Sequence, residues 1–261
     1  MAKIIAVAGK GGTGKTLVSA LLIKYLIDDG RGSVLAVDAD PSTNLDLTLG
    51  TSIEETVGDI REDTSQQVSS GTFMPGISKP DYLELRINQA LVEEKGFDLL
   101  AMGRPEGPGC YCAANSMLRL SIDRLSKSYE YVVIDNEAGL EHLSRRTTQD
   151  VDLLLIVSDP TLRGLATADR VAHLIHELRT QVGHIRLIVN RVPIDQSGEP
   201  TLAPQLQQFI SDKQLELAGL IPMDPLVAEY DTLGRPLVEL PQETPARRAV
   251  KAALDSLDGL L

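Results

Sequence analysis

Short β-branched or leucine-rich runs recur along the chain at 3–8, 33–37, 97–102, 131–134, 153–157, 185–189 and 217–221. Several are apolar without alternation, the pattern of strands covered on both faces. Helix-length stretches separate them, at 15–29, 82–94, 113–127, 165–181 and a final 245–261. Alternating strand and helix signals with glycines at the joints predict an α/β fold: a doubly wound, mainly parallel sheet with helices on both faces. No internal repeat interrupts the pattern. The stretch 51–80 is weakly patterned and rich in Thr, Ser, Gly and Pro, which predicts a mobile insertion within one domain spanning 1–261.

Composition narrows the class. Across 261 residues, 43% are hydrophobic and 24% charged, enough apolar material for one large core and too much for a disordered chain. Lys+Arg 25 against Asp+Glu 37 gives a net charge of −12, which repels nucleic-acid backbones and anionic bilayers. The apolar run at 4–8 is shorter than a signal-peptide core, and no run approaches the roughly 20 residues of a spanning helix, so a soluble cytoplasmic protein without nucleic-acid or membrane partners is expected. The final helix carries Asp255 and Asp258, which oppose an anionic membrane and favour packing on the sheet. The two cysteines, Cys110 and Cys112, are too close for an ordinary stabilising disulfide and point to ligand or redox chemistry in a reducing compartment.

The segment Gly9-Lys10-Gly11-Gly12-Thr13-Gly14-Lys15-Thr16 fits G-x-x-x-x-G-K-[ST] and lies where the chemistry needs it, after a buried strand and before a helix. Glycines let backbone N–H groups from Gly12 to Thr16 wrap a β-phosphate at a helix amino terminus. Lys15 would bridge the β- and γ-phosphates and the Thr16 hydroxyl would bind Mg²⁺; the nucleotide-binding run extends from Gly11 to Leu17. Tyr131-Val132-Val133-Ile134-Asp135 is an apolar strand ending in a carboxylate, the Walker B arrangement, so Asp135 would hold Mg²⁺ through water. Two further carboxylates, Asp38 and Asp40, emerge from the end of the second strand beside the phosphate loop; Asp38 would support the loop or the magnesium.

With its extra Lys10, the loop resembles the deviant Walker A motif K-G-G-x-G-K-T of the ATPase superfamily that contains nitrogenase iron protein and the septum-placing and partition ATPases. The resemblance implies ATP and ADP as nucleotides, and a Lys10 that reaches the nucleotide of the partner subunit. It makes residues 37–44 a first switch, in which Asp40 orients or deprotonates the attacking water and Asn44 lies near the magnesium, and residues 136–142 a second switch pivoting at Gly139. Asn190 with Arg191 then corresponds to the adenine-reading strand end, and Pro222-Met223-Asp224 to the second base-flanking loop.

Two thiols two residues apart chelate one soft metal but cannot complete four ligands; a symmetric dimer would supply four thiolates, one bridging metal per homodimer. The alternative is a pair of buried apolar cysteines under a helix. The residues 77–83, the run M-G-R-P-E-G-P-G-C-Y-C-A-A-N and I-D-N-E-A-G-L-E-H together resemble the carbon monoxide dehydrogenase accessory ATPases, the CooC-type nickel-maturation family. That resemblance implies a dimerising ATPase whose Cys110 and Cys112 bind Ni²⁺, or Zn²⁺ in competition, with carbon monoxide dehydrogenase as client. Two other readings stand beside it: a partition- or septum-positioning-like ATPase without metal chemistry, and an iron–sulfur electron donor. Of the four histidines, His173 and His176 fall at helical spacing without a third ligand and read as surface or core residues, while His142 falls in the second switch.

Overall fold

The structure, a computed structural model, describes residues 2–104, 112–137, 150–177 and 181–261. Its strands are β1 (Lys3–Gly9), β2 (Val34–Ala39), β3 (Val92–Glu94), β4 (Phe97–Ala101), β5 (Tyr131–Asn136), β6 (Asp150–Ser158), β7 (Gln181–Val192) and β8 (Leu217–Pro222). The helices are α1 (Lys15–Asp28), α2 (Leu45–Leu49), α3 (Val57–Ser70), α4 (Lys79–Gln89), α5 (Cys112–Leu125), α6 (Leu162–Glu177), α7 (Pro204–Asp212), α8 (Pro225–Thr232) and α9 (Pro245–Asp255). Among the described residues one eight-stranded sheet runs β3-β4-β2-β5-β1-β6-β7-β8, and every neighbouring pair is parallel except β3 with β4. The doubly wound α/β fold expected from the alternating pattern is the one observed.

Helices cover both faces because each central strand is apolar on both. In β1, Ile5 and Val7 face a core built with α1, α8 and α9, while Ala6 and Ala8 face the opposite core with α6 and α7. A third cluster packs α3 and α5 against β2, β4 and β5. Helix α1 is apolar nearly all round, with Leu22, Ile23 and Leu26 fully buried, each worth about 2 kcal/mol over exposure. Gly219 on β8 lets α9 lie close to the sheet, since a Cβ there would stand 2.6 Å from that of Ala253.

Several boundaries differ from the sequence pattern. The helix expected at 82–94 starts earlier, at Lys79 behind an N-cap on Ser78, and ends at Gln89; residues 92–94 turn back as the edge strand β3. The reversal is a two-residue turn in which Gly96 takes φ +98°, pairing Glu94 with Phe97. The helix expected to reach residue 181 ends at Glu177, and Gln181 already pairs with Asp150 in the sheet. The stretch 51–80 contains α3, begun by a capping box in which the Thr56 hydroxyl accepts from the Asp59 N–H and the Asp59 carboxylate accepts from the Thr56 N–H. The last helix ends at Asp255 and finishes in a short 3₁₀ turn. Among the described residues no helix is long and apolar enough to cross a membrane.

Candidate functional site

Strand β1 lies between β5 and β6, so the chain leaves its carboxyl end where connections depart to both sides, the place where such sheets open a ligand crevice. Gly9 carries φ +151°, and a Cβ there would meet the Val157 carbonyl oxygen at 2.2 Å, so only glycine lets the loop start so close to β6. The Thr13 hydroxyl donates back to the Lys10 carbonyl at 2.9 Å and closes the loop. Gly14 adopts φ +92° directly before α1, and no side chain caps that helix. Its first-turn N–H groups are therefore the unpaired donors on which an anion is stabilised. Lys15 is buried at the helix start, whereas Lys10, Gly11 and Gly12 are exposed.

Asp38 on β2 and Asp135 on β5 are direct neighbours in register, and both are buried. Asp135 accepts the Thr16 hydroxyl at 2.7 Å and the Ser19 hydroxyl at 2.9 Å. Burial pushes its carboxyl up to about 6, against the pull of those hydroxyls and of Lys15 and with a further push from the charge of Asp40. Asp38 accepts three backbone N–H groups, from Asp40 at 3.0 Å, Asn44 at 2.9 Å and Leu45 at 3.0 Å. Burial and the charge of Asp135 outweigh these bonds and push the Asp38 carboxyl up to about 7. Asp38 thus fastens the 40–45 segment to the sheet edge. Asp40 stands half-exposed at the turn, its carboxylate accepting the Ser42 N–H at 2.8 Å, and Asn44 is exposed.

A cavity of about 570 Å³ opens beside the phosphate loop, and Gly14, Thr16, Leu17, Asn44, Asn190, Arg191, Pro222, Met223 and Asp224 all border it. The sequence-predicted loop and base-flanking residues therefore meet around one space. Within it, the buried Asn190 amide donates to the Thr13 carbonyl at 2.8 Å and accepts the Arg191 N–H at 2.8 Å, so it ties β7 to the phosphate loop. A Cβ on Gly14 would stand 2.2 Å from that amide nitrogen. Both oxygens of Asp224 accept protein N–H groups. Sequence reasoning missed Ser19, whose signal was its place one helical turn after Thr16, and the walls supplied by α8 and by Ala246.

Cys110 and the switch residues from Ala138 to His142 lie outside the described residues; Cys112 opens α5. The chain that leads towards the cysteines departs from the same sheet edge as the phosphate loop. The Met102 N–H donates to the Asp38 carbonyl at 2.8 Å, and the Gly58 N–H donates to the Met102 carbonyl at 2.8 Å. Gly103 follows at φ +66°, where a Cβ would collide with the Thr56 hydroxyl at 2.1 Å. His173 is an exposed residue within 3.2 Å of Asp169, a carboxylate that Lys213 also approaches.

The profile of the CobQ/CobB/MinD/ParA nucleotide binding domain matches residues 4–237. The chain is 46% identical, over 97% of its length and 98% of the other's, to an uncharacterized ATP-binding protein of Methanocaldococcus jannaschii. It is 35% identical to the carbon monoxide dehydrogenase accessory protein CooC of Rhodospirillum rubrum, over 88% of this chain and 87% of that one. Among solved structures, the MinD cell division protein of Aquifex aeolicus superposes with a TM-score of 0.70 at 24% identity, covering 99% of this chain and 97% of that one, a likeness of fold.

Proposed function

The chain belongs to the CobQ/CobB/MinD/ParA nucleotide-binding family of P-loop ATPases, and on that premise we propose that it is a dimer-forming maturation factor. In this reading ATP hydrolysis is spent on a nickel or zinc ion held as cargo by Cys110 and Cys112, for insertion of nickel into a carbon monoxide dehydrogenase. Such a factor works in the cytoplasm. Two copies of the chain supply the four thiolates that one pair cannot.

In the nucleotide site, Lys15 and the N–H groups from Gly12 to Thr16 bind the β- and γ-phosphates. The residues present fit Mg²⁺. Thr16 offers a hydroxyl 2.7 Å from Asp135, a buried carboxylate whose ionised form is disfavoured and which a cation restores. Thr16 and Asp135 would hold that ion, and bound Mg²⁺ neutralises phosphate charge. Asp38 keeps the 40–45 segment in place, Asp40 orients the attacking water, and Lys10 reaches the nucleotide of the partner subunit. Asn190, Arg191, Pro222 and Met223 flank the base.

One observation carries the link between nucleotide and metal. The segment that runs on to the cysteines is rooted through Met102 on the carbonyl of Asp38, whose side chain holds residues 40, 44 and 45. In this reading a change of nucleotide state sensed by residues 40–45 is passed through Asp38 to Met102, from which the chain runs on to Cys110 and Cys112. The 35% identity with the Rhodospirillum rubrum accessory protein supports the choice of client.

The test is activation of a nickel-deficient carbon monoxide dehydrogenase by the protein preloaded anaerobically with Ni²⁺. Mg·ATP is expected to speed recovery of CO oxidation with the wild type and not with Cys110→Ala/Cys112→Ala. Equal recovery with both proteins contradicts the reading.

A further inference from the structure

Asp224 does more in this structure than border the cavity. It is buried, at 8% exposure, and each of its carboxylate oxygens already accepts a backbone N–H. Oδ1 accepts from Leu226 at 3.0 Å and so caps the amino terminus of α8. Oδ2 accepts from Ala246 at 3.0 Å, 22 residues further on, in the first turn of α9. The N-cap residue of α9, Thr244, makes no capping bond of its own, so the Ala246 N–H depends on Asp224. One side chain thus serves two helix amino termini that converge on it, where an oxygen acceptor is favourably placed. The residue before it is fixed as well, because the Met223 N–H donates to the Val192 carbonyl at 2.9 Å.

The two helices held in this way supply part of the wall of the cavity. Val227, Ala228 and Asp231 of α8 and Ala246 of α9 line it, while Gly14 and Thr16 line the phosphate side. We propose that Asp224 is a positioning residue for the nucleotide base: its carboxylate staples α8 to α9 and sets the width of the base pocket without itself meeting the base. This rests on the reading of the cavity as a nucleotide site. It departs from the expectation, drawn from the sequence, that Asp224 contacts the nucleotide.

The test measures Mg²⁺-supported binding of three ligands to wild-type protein, Asp224→Ala and Asp224→Asn: inorganic tripolyphosphate, ADP, and IDP, which lacks the 6-amino group of adenine. In Asp224→Ala the affinities for ADP and IDP are expected to fall together by about tenfold, while that for tripolyphosphate changes by less than about twofold. Asp224→Asn keeps one acceptor oxygen and the side-chain shape, so it should show the same pattern at smaller amplitude and provides the answer if the alanine variant does not fold. A parallel loss of all three ligands would mean that Asp224 only supports the fold. Selective loss of ADP with IDP unchanged would mean direct contact with the 6-amino group, and unchanged affinities would mean no role; each overturns the proposal. A wild-type chain that binds none of the three ligands overturns the nucleotide reading and this inference with it, and needs no variant to be seen.

Discussion

Asp38 and Asp135, neighbours on adjacent strands, are the two buried carboxyls through which the nucleotide-free protein gains a pH-dependent contribution to stability. Both carboxyls are raised from the ordinary 3.8, to about 7 and about 6, chiefly by burial. The folded protein therefore holds these protons at pH values where the unfolded chain has released them. Their contribution to stability is complete below the unfolded value and is lost as pH rises through the folded values. The melting temperature should accordingly fall between about pH 4 and about pH 7, and Asp135→Asn should flatten that slope; thermal melts across the range check it, and a wild-type profile that rises towards pH 7 contradicts it. The residues of the phosphate loop were legible in the sequence because a helix start that cradles phosphate demands glycines and a lysine at fixed spacing. The work of Asn190 and Asp224 was not. Their partners are backbone groups, and for Asn190 with Thr13 and Asp224 with Ala246 these lie 177 and 22 residues away, pairings that no local pattern encodes.

Among the elements, the central strands and α1 were readable because burial on every side leaves an uninterrupted apolar run. The edge strand β3 and the surface helix α3 were not. Strand β3 has only Val92 as an apolar residue, and α3 is mainly polar, packing through Val57 and Ile60. Both nevertheless carried local signals, the Lys95-Gly96 turn and the Thr56-x-x-Asp59 box. The box supports a quantitative expectation. Thr56→Ala removes the cap of α3 and should cost about 1 kcal/mol, seen as a melting temperature lower by roughly 2–4 °C. Because Gly103 packs directly against Thr56, Gly103→Ala should be more damaging, as it adds both a collision and a φ of +66° that alanine resists. Calorimetry of the two variants gives the comparison, and an alanine at 103 that melts with the wild type would contradict the packing described.

For the molecule as a whole, the net charge of −12 leaves nucleic acid and anionic membranes as unfavourable partners, and a second copy of the chain completes the proposed metal site. Driving such a pair from about 1:99 to 99:1 closed requires ATP to favour the closed state by about 5.5 kcal/mol. In the proposed function the exposed Lys10 at the loop start supplies part of this. Lys10→Ala should keep ADP binding and lose ATP-dependent dimerisation in sedimentation velocity; a variant that still dimerises with ATP contradicts that role. The central claim, that nucleotide state and a shared thiolate site are coupled, meets its most direct test in anaerobic titration of Ni²⁺ with and without a non-hydrolysable ATP analogue and Mg²⁺. The account predicts about one thiol-dependent metal per two chains, bound more tightly with the analogue and lost in Cys110→Ala/Cys112→Ala. Metal binding that is the same in the variant, or indifferent to nucleotide, would contradict it.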